Sequence, residues 1–212
     1  MGAALRGAAM ITIVDYDAGN PRSIINMLQY LGHRAELTGD PDTIARAERL
    51  ILPGVGKFDW GMQRLHDKGL VAPLREAVER RAVPMLGICL GAQLLTRGSE
   101  EGELPGFDWV PAKTVAFDRS RLGDRLKVPH IGWADTAWNA GHRMALDADA
   151  ARYYYVHSFH IACDDPATEL CSTVHGYRFT AGVEKDNVFG VQFHPEKSLS
   201  FGMAVLDRFA AI

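Results

Sequence analysis

Apolar and polar positions follow two different rhythms along the chain. In the first half, short β-branched apolar runs are separated by stretches in which apolar residues recur every three or four positions. The run MITIVDY (10–16) ends in the turn residues DAGNP and is expected as a buried first strand. In RSIINMLQYL (22–31), Ile24, Ile25, Leu28 and Leu31 share one helical face, and Gly32 closes the segment. RAEL predicts a short strand. DPDTIARAE predicts a short helix capped by Asp40, with Pro41 as its first helical residue. RLILPGVG reads as a strand running into a Gly/Pro loop, and LVAPLREAVERRA (70–82) as an amphipathic helix. VPMLGI is a buried strand, and AQLLTRGSEE is expected to continue as a helix after Cys89. Strands alternating with helices of this length predict a parallel sheet.

The second half changes rhythm. KTVAF, RYYYVHSFH, ELCSTVHG, YRFTAGVEKDN and VFGVQFHPE are rich in aromatic and β-branched residues and are separated by Gly, Asp and Asn. EKDN reads as a hairpin turn, and helix returns only at SFGMAVLDRFAAI. The expected fold is α/β: a doubly wound, mostly parallel central sheet flanked by helices, flavodoxin-like, with an added antiparallel section in the C-terminal half. One domain is expected over 10–212. Residues 1–9, MGAALRGAA, hold too short an apolar stretch for a signal peptide and read as a disordered extension before a start at Met10.

Composition narrows the choice of partners. The 212 residues carry a formal net charge of -3 with no cluster of Lys or Arg, so a nucleic-acid partner has no electrostatic footprint. No apolar run approaches the roughly 18 residues of a membrane span. The three cysteines, Cys89, Cys163 and Cys171, are few, odd in number and not in metal-ligand spacing. That favours a reducing, cytoplasmic setting over a disulfide framework, and calls for no metal or cofactor.

The candidate chemistry begins at PMLGICLGAQLL (84–95), where Cys89 stands between Gly87 and Gly91. A strand meeting a helix through a tight turn holds the turn residue out above the strand end, and small residues at −2 and +2 let the backbone pass close to itself. Helix N–H groups aimed at the sulfur would favour the thiolate, the reactive form. They also make the Leu90 N–H a ready oxyanion donor. A thiolate hydrolase needs a base and something to orient it. His194 ends an apolar run, and Glu196 lies two residues on. Residues i and i+2 of an extended segment face the same side, and Pro195 keeps His194 away from helical dihedrals. Taken alone, such a His and Glu are ordinary strand-end residues. A zinc-deaminase reading of His-x-Glu fails, because no Cys follows residue 171. Finally, Pro53-Gly54-Val55-Gly56 ends a strand where backbone N–H groups can turn toward a bound carbonyl, at the sheet edge where ligands bind.

Together, PGVGKFDWGM, GICLGAQLL, SEEG, KVPHIGW, YYYVHSFH and VFGVQFHPEKS resemble the glutamine amidotransferases with a Cys-His-Glu triad, and within them the HisH family of glutaminase subunits of imidazole glycerol phosphate synthase. The resemblance runs from about Met10 to the C-terminus. It implies that Cys89 attacks the side-chain amide of glutamine, that His194 moves the protons, and that Glu196 orients His194. It implies oxyanion donors at Leu90 and at Gly54, Val55 or Gly56. Gln93 and Glu101 would hold the amino-acid end of glutamine, and His157 and Ser158 would lie on the next substrate strand. The implied partner is a TIM-barrel cyclase of the HisF type in a heterodimer. It would receive the ammonia through a sheltered path to make imidazole glycerol phosphate and aminoimidazole-carboxamide ribonucleotide. Asn20, Trp133 and Lys197 match positions facing that partner.

The chain departs from the family pattern at Asp17-Ala18 and Pro21, at Phe159 where Tyr is usual, and after Trp133 where Asn is usual. None touches the triad. A relative feeding ammonia to a partner that amidates a surface-polysaccharide sugar would share every catalytic motif, so both branches stay open on sequence.

Overall fold

The structure, a computed structural model, describes residues 9–147 and 151–212, so the expected extension falls almost wholly outside the described residues. The first half alternates strand and helix: β1 (Ile11–Val14), α1 (Pro21–Tyr30), β2 (Ala35–Thr38), α2 (Pro41–Arg46), β3 (Arg49–Leu52), α3 (Phe58–Asp67), α4 (Val71–Arg75), β4 (Met85–Ile88) and α5 (Leu90–Leu94). A π-helical turn, Glu76–Arg80, extends α4. The second half carries β5 (Ala112–Ala116), β6 (His130–Trp138), β7 (Ala151–His157), β8 (Phe159–Cys163), β9 (Glu169–His175), β10 (Tyr177–Lys185), β11 (Val188–Val191) and α6 (Leu199–Ala210).

The strands form one sheet in the order β2-β1-β3-β4-β11-β10-β9-β6-β7, with β8 joining β10 to β5. From β2 to β11 every pairing is parallel; from β11 outward every pairing is antiparallel. The apolar positions of the parallel strands divide by parity between two cores. Leu50, Leu52 and Met85 pack with Met62, Leu65 and Leu74 on one face. Ile11, Ile13, Ile51, Leu86 and Ile88 pack with Ile24, Leu28, Val205 and Phe209 on the other. Helices therefore cover both faces, which is the doubly wound arrangement expected. Asp40 caps α2 by accepting the Thr43 N–H at 2.8 Å, with Pro41 at the first position.

Three local expectations need correction. The helix after Cys89 ends at Leu94 instead of running on through Glu101. The Thr96 hydroxyl donates to the Gln93 carbonyl at 2.8 Å, and the Arg97 N–H turns away to the Ala112 carbonyl. The run RYYYVHSFH is two strands broken at Ser158, because β7 pairs with β6 while β8 pairs with β5 and β10. And HIGWADTAW, which the apolar pattern does not mark, is the nine-residue strand β6. No helix among the described residues is long and apolar enough to cross a membrane.

Candidate active site

Strands β4 and β11 lie side by side and parallel, with Ile88 opposite Val191. Their carboxyl ends therefore deliver Cys89 and His194 to one place, although the two are far apart in sequence. Cys89 sits between β4 and α5 at φ 53°, ψ −109°, a backbone region that costs a non-glycine residue energy and is retained where surrounding structure enforces it. The enforcement is visible. A methyl group on Gly91 would stand 1.8 Å from the Leu52 carbonyl oxygen, and one on Gly87 2.7 Å from Ala92 backbone atoms. The Cys89 N–H donates to the Val191 carbonyl at 2.8 Å.

His194 is almost fully buried, and its Nδ1 meets Glu196 Oε1 at 2.8 Å, the i, i+2 contact expected. Its backbone is clamped by Tyr154 and Ser198. The His194 N–H donates to the Tyr154 carbonyl at 2.9 Å, and the Ser198 hydroxyl donates to the His194 carbonyl at 2.6 Å while accepting the Tyr154 N–H. Burial works against a charged ring here, but the sulfur of Cys89 and the Glu196 carboxylate outweigh it and push His194 up to about 9. The other ring nitrogen, Nε2, is buried and makes no hydrogen bond of regular geometry among the described residues.

A cleft of about 390 Å³ opens over Cys89. Of the residues singled out on sequence, Leu90, Val55, Gly56, Gln93, Glu101, His157 and Ser158 line it with Cys89. Glu101 accepts the Phe58 N–H at 2.9 Å, which anchors its carboxylate at the start of α3. His157 contributes differently from a polar substrate ligand. Its Nδ1–H donates to the Phe159 carbonyl at 2.8 Å, and its Nε2 faces His130 Nδ1 at 3.2 Å, so both ring nitrogens are engaged within the protein. Burial keeps both rings neutral, holding His130 at about 4 and His157 well below the ordinary histidine range.

The expected oxyanion donor is engaged within the protein. The Leu90 N–H, expected to be free, donates to the Gly54 carbonyl at 3.4 Å. Behind that loop the buried Tyr16 hydroxyl, its phenol pushed up by burial, donates to the Pro53 carbonyl at 2.5 Å. Of the expected partner-facing residues, Trp133 and Lys197 share one neighbour: Trp133 meets the Tyr154 ring edge-on at 6.2 Å, and Lys197 Nζ lies 5.7 Å from the same ring. Asn20 is exposed ahead of α1 and makes no side-chain cap. Among the described residues no group of three or more His, Cys, Asp or Glu is arranged to hold a metal.

Sequence reasoning missed Gln192, Ser198, His130 and Tyr16. Only Gln192 left a trace, as a polar residue inside the apolar run VFGVQF.

With this geometry in place, comparison with known proteins is specific. Residues 12–211 match the family Glutamine amidotransferase class-I, and the chain belongs to that family. It is similar to the imidazole glycerol phosphate synthase subunit HisH 2 of Methanococcus maripaludis, at 44% identity over 94% of this chain and 98% of the relative. It is equally similar, at 44% identity over 96% of this chain and 100% of the relative, to the subunit HisH 2 of Pseudomonas aeruginosa. A solved crystal structure of a glutamine amidotransferase superposes with a TM-score of 0.72 at 17% identity, over 95% of this chain and 99% of that one, which supports the fold alone.

Proposed function

We propose that this chain is the glutaminase subunit of an imidazole glycerol phosphate synthase, acting in histidine biosynthesis in the cytoplasm. The observation that carries the chemistry is the Cys89 sulfur held at a strained strand–helix corner, opening on a cleft and lying beside the His194–Glu196 pair. The Cys89 thiolate attacks the side-chain carbonyl carbon of glutamine. The tetrahedral intermediate collapses with loss of the C–N bond, and the proton on His194 passes to the leaving nitrogen, releasing ammonia and a glutamyl thioester. Water then attacks the thioester, His194 takes its proton, and glutamate leaves with the sulfur restored. Glu196 holds the ring and stabilises its charge. Gln93 and Glu101 hold the amino-acid end of the substrate, and the Ser158 segment forms the opposite wall.

The ammonia passes to a TIM-barrel cyclase of the HisF type in a heterodimer, docked over Asn20, Trp133 and Lys197. There it completes imidazole glycerol phosphate and aminoimidazole-carboxamide ribonucleotide. A sheltered path is chemically required, because ammonia released into water near neutral pH gains a proton and loses its nucleophilic lone pair. Both relatives carry the synthase name, which favours this branch over amidation of a surface sugar.

The test is reconstitution with the cyclase and its ribonucleotide substrate. Glutamine-dependent turnover should require this chain and vanish in Cys89→Ala, whereas ammonium-dependent turnover should survive both. Glutamine-dependent turnover by Cys89→Ala at the wild-type rate would overturn the reading.

A further inference from the structure

We propose that the buried side-chain amide of Gln192 donates a hydrogen bond directly to the reacting sulfur of Cys89, and that Gln93 holds that amide in its donating orientation. The proposal rests on the glutaminase reading above and adds a residue to it.

The two ends of a glutamine amide look alike, so the orientation must come from the network. Here the network contains a fixed point, the Phe159 carbonyl, which can only accept. The Gln93 Nε2–H group donates to it at 3.1 Å, so the nitrogen of Gln93 is at that end. The second hydrogen of the same group reaches Gln192 Oε1 at 3.0 Å. The remaining end of Gln192 is then its NH2, and that is the end facing Cys89 Sγ, at 3.7 Å. Turning Gln192 over would set two NH2 groups against each other and aim an oxygen at the thiolate. Phe159 is held in turn by the Nδ1–H of His157, so its carbonyl has both lone pairs engaged.

Two contacts on the sulfur oppose each other. The Val156 carbonyl, 4.0 Å from Sγ, favours the protonated thiol as a donor. The Gln192 N–H favours the thiolate as an acceptor. Gln192 has no exposed surface and Gln93 has 5%, so water does not compete for these bonds. Hydrogen bonds to charged groups in dry sites are stronger than those between neutral groups. Because Gln93 also lines the cleft, the residue that meets the substrate is the one that fixes the donor at the nucleophile.

The experiment follows the rate of Cys89 alkylation by iodoacetamide against pH in the full chain, read by peptide mass spectrometry, beside glutamine hydrolysis and thermal unfolding. Gln192→Met keeps shape and removes the donor. Gln192→Glu keeps an acceptor for Gln93 but turns an oxygen toward the sulfur. In both, the pH of half-maximal alkylation should rise, by about one to two pH units for Gln192→Met, and glutamine turnover should fall on the order of ten- to a hundredfold. Cooperative unfolding should persist, and if Gln192→Met does not fold, Gln192→Glu decides. Alkylation of the folded variants with the wild-type pH dependence would overturn the proposal and leave the glutaminase reading intact. A wild-type Cys89 that reacts no faster than Cys163 and hydrolyses no glutamine would overturn that reading, and the proposal with it.

Discussion

The charge state of His194 is the residue-scale fact with the widest consequences. Its ring keeps a proton up to about 9, so on the proposed mechanism the acid for the first step is already in place at neutral pH. Glutamine hydrolysis should therefore hold through neutral pH and fall as pH rises through about 9. A kcat/KM profile checks this, and Glu196→Gln should move the falling limb to lower pH. The stability consequence has a fixed sign. A folded-state value above the ordinary histidine value of about 6.5 contributes stability that is fully present below 6.5 and is lost as pH rises toward and through 9. Urea unfolding at pH 6 and pH 9.5 should show wild type losing more stability than His194→Gln over that interval. Burial pushes the thiols of Cys163 and Cys171 up, so a glutamine-analogue electrophile should label Cys89 well ahead of both. The His194–Glu196 contact was readable in the sequence because Pro195 fixes the local geometry, so neighbours in sequence are neighbours in space. The roles of Ser198 and Tyr16 were not, since Ser198 accepts the Tyr154 N–H and Tyr16 donates to the Pro53 carbonyl, partners that only folding brings near.

At the scale of elements, the strand–helix corner depends on two close backbone approaches that a glycine pattern does reveal. Gly91→Ala should cost roughly 3 kcal/mol, because the added methyl meets a carbonyl oxygen of the neighbouring strand end and only backbone movement relieves it. Gly123→Ala is the control. That site is at φ +66 with nothing within 4 Å, so it should cost only about 1 kcal/mol from the left-handed backbone. Urea unfolding of the two variants measures the difference, and equal costs would mean the corner yields more easily than its packing implies. Unbroken apolar runs located the central parallel strands because both their faces are buried. No such signal marks β6, where the pattern is inverted: His130 and Thr136 point inward while Ile131 and Trp133 are exposed. A strand that buries polar side chains and displays apolar ones gives no ordinary period-two signal. The helix after Cys89 was overextended for a different reason. Its sequence is helix-compatible, but tertiary bonds from Arg97 and Glu100 to β5 turn the chain away.

At the scale of the whole molecule, the parallel and antiparallel halves meet at β11, and the site lies over that seam. On the proposed mechanism β4 brings the nucleophile, the end of β11 the His–Glu pair, β7 and β8 the Ser158 wall, and β3 the loop that would receive the oxyanion. The parallel half could be anticipated from sequence; the bond from the Leu90 N–H to the Gly54 carbonyl could not. Which way the Gly54–Val55 peptide faces is a rotation about ψ of Gly54 and φ of Val55, and glycine at 54 leaves the first of these unrestricted. In this structure its carbonyl holds the Leu90 N–H, so an oxyanion formed at Cys89 would meet a carbonyl oxygen in place of a donor. Turning that peptide would replace the carbonyl with the Val55 N–H and release Leu90, supplying two donors at once. The loop is tied to Tyr16 through Pro53, and Gly19 packs against Gly54, so the segment bearing Asn20 abuts that peptide. On the proposed function, a cyclase docked over Asn20 would favour the turned state. The isolated chain should hydrolyse glutamine slowly. Addition of the cyclase with its ribonucleotide ligand should raise turnover on the order of a hundredfold or more, the cost of a missing oxyanion donor. Coupled glutamate assays with and without the cyclase measure it, and equal turnover in both would mean that the loop opens without help.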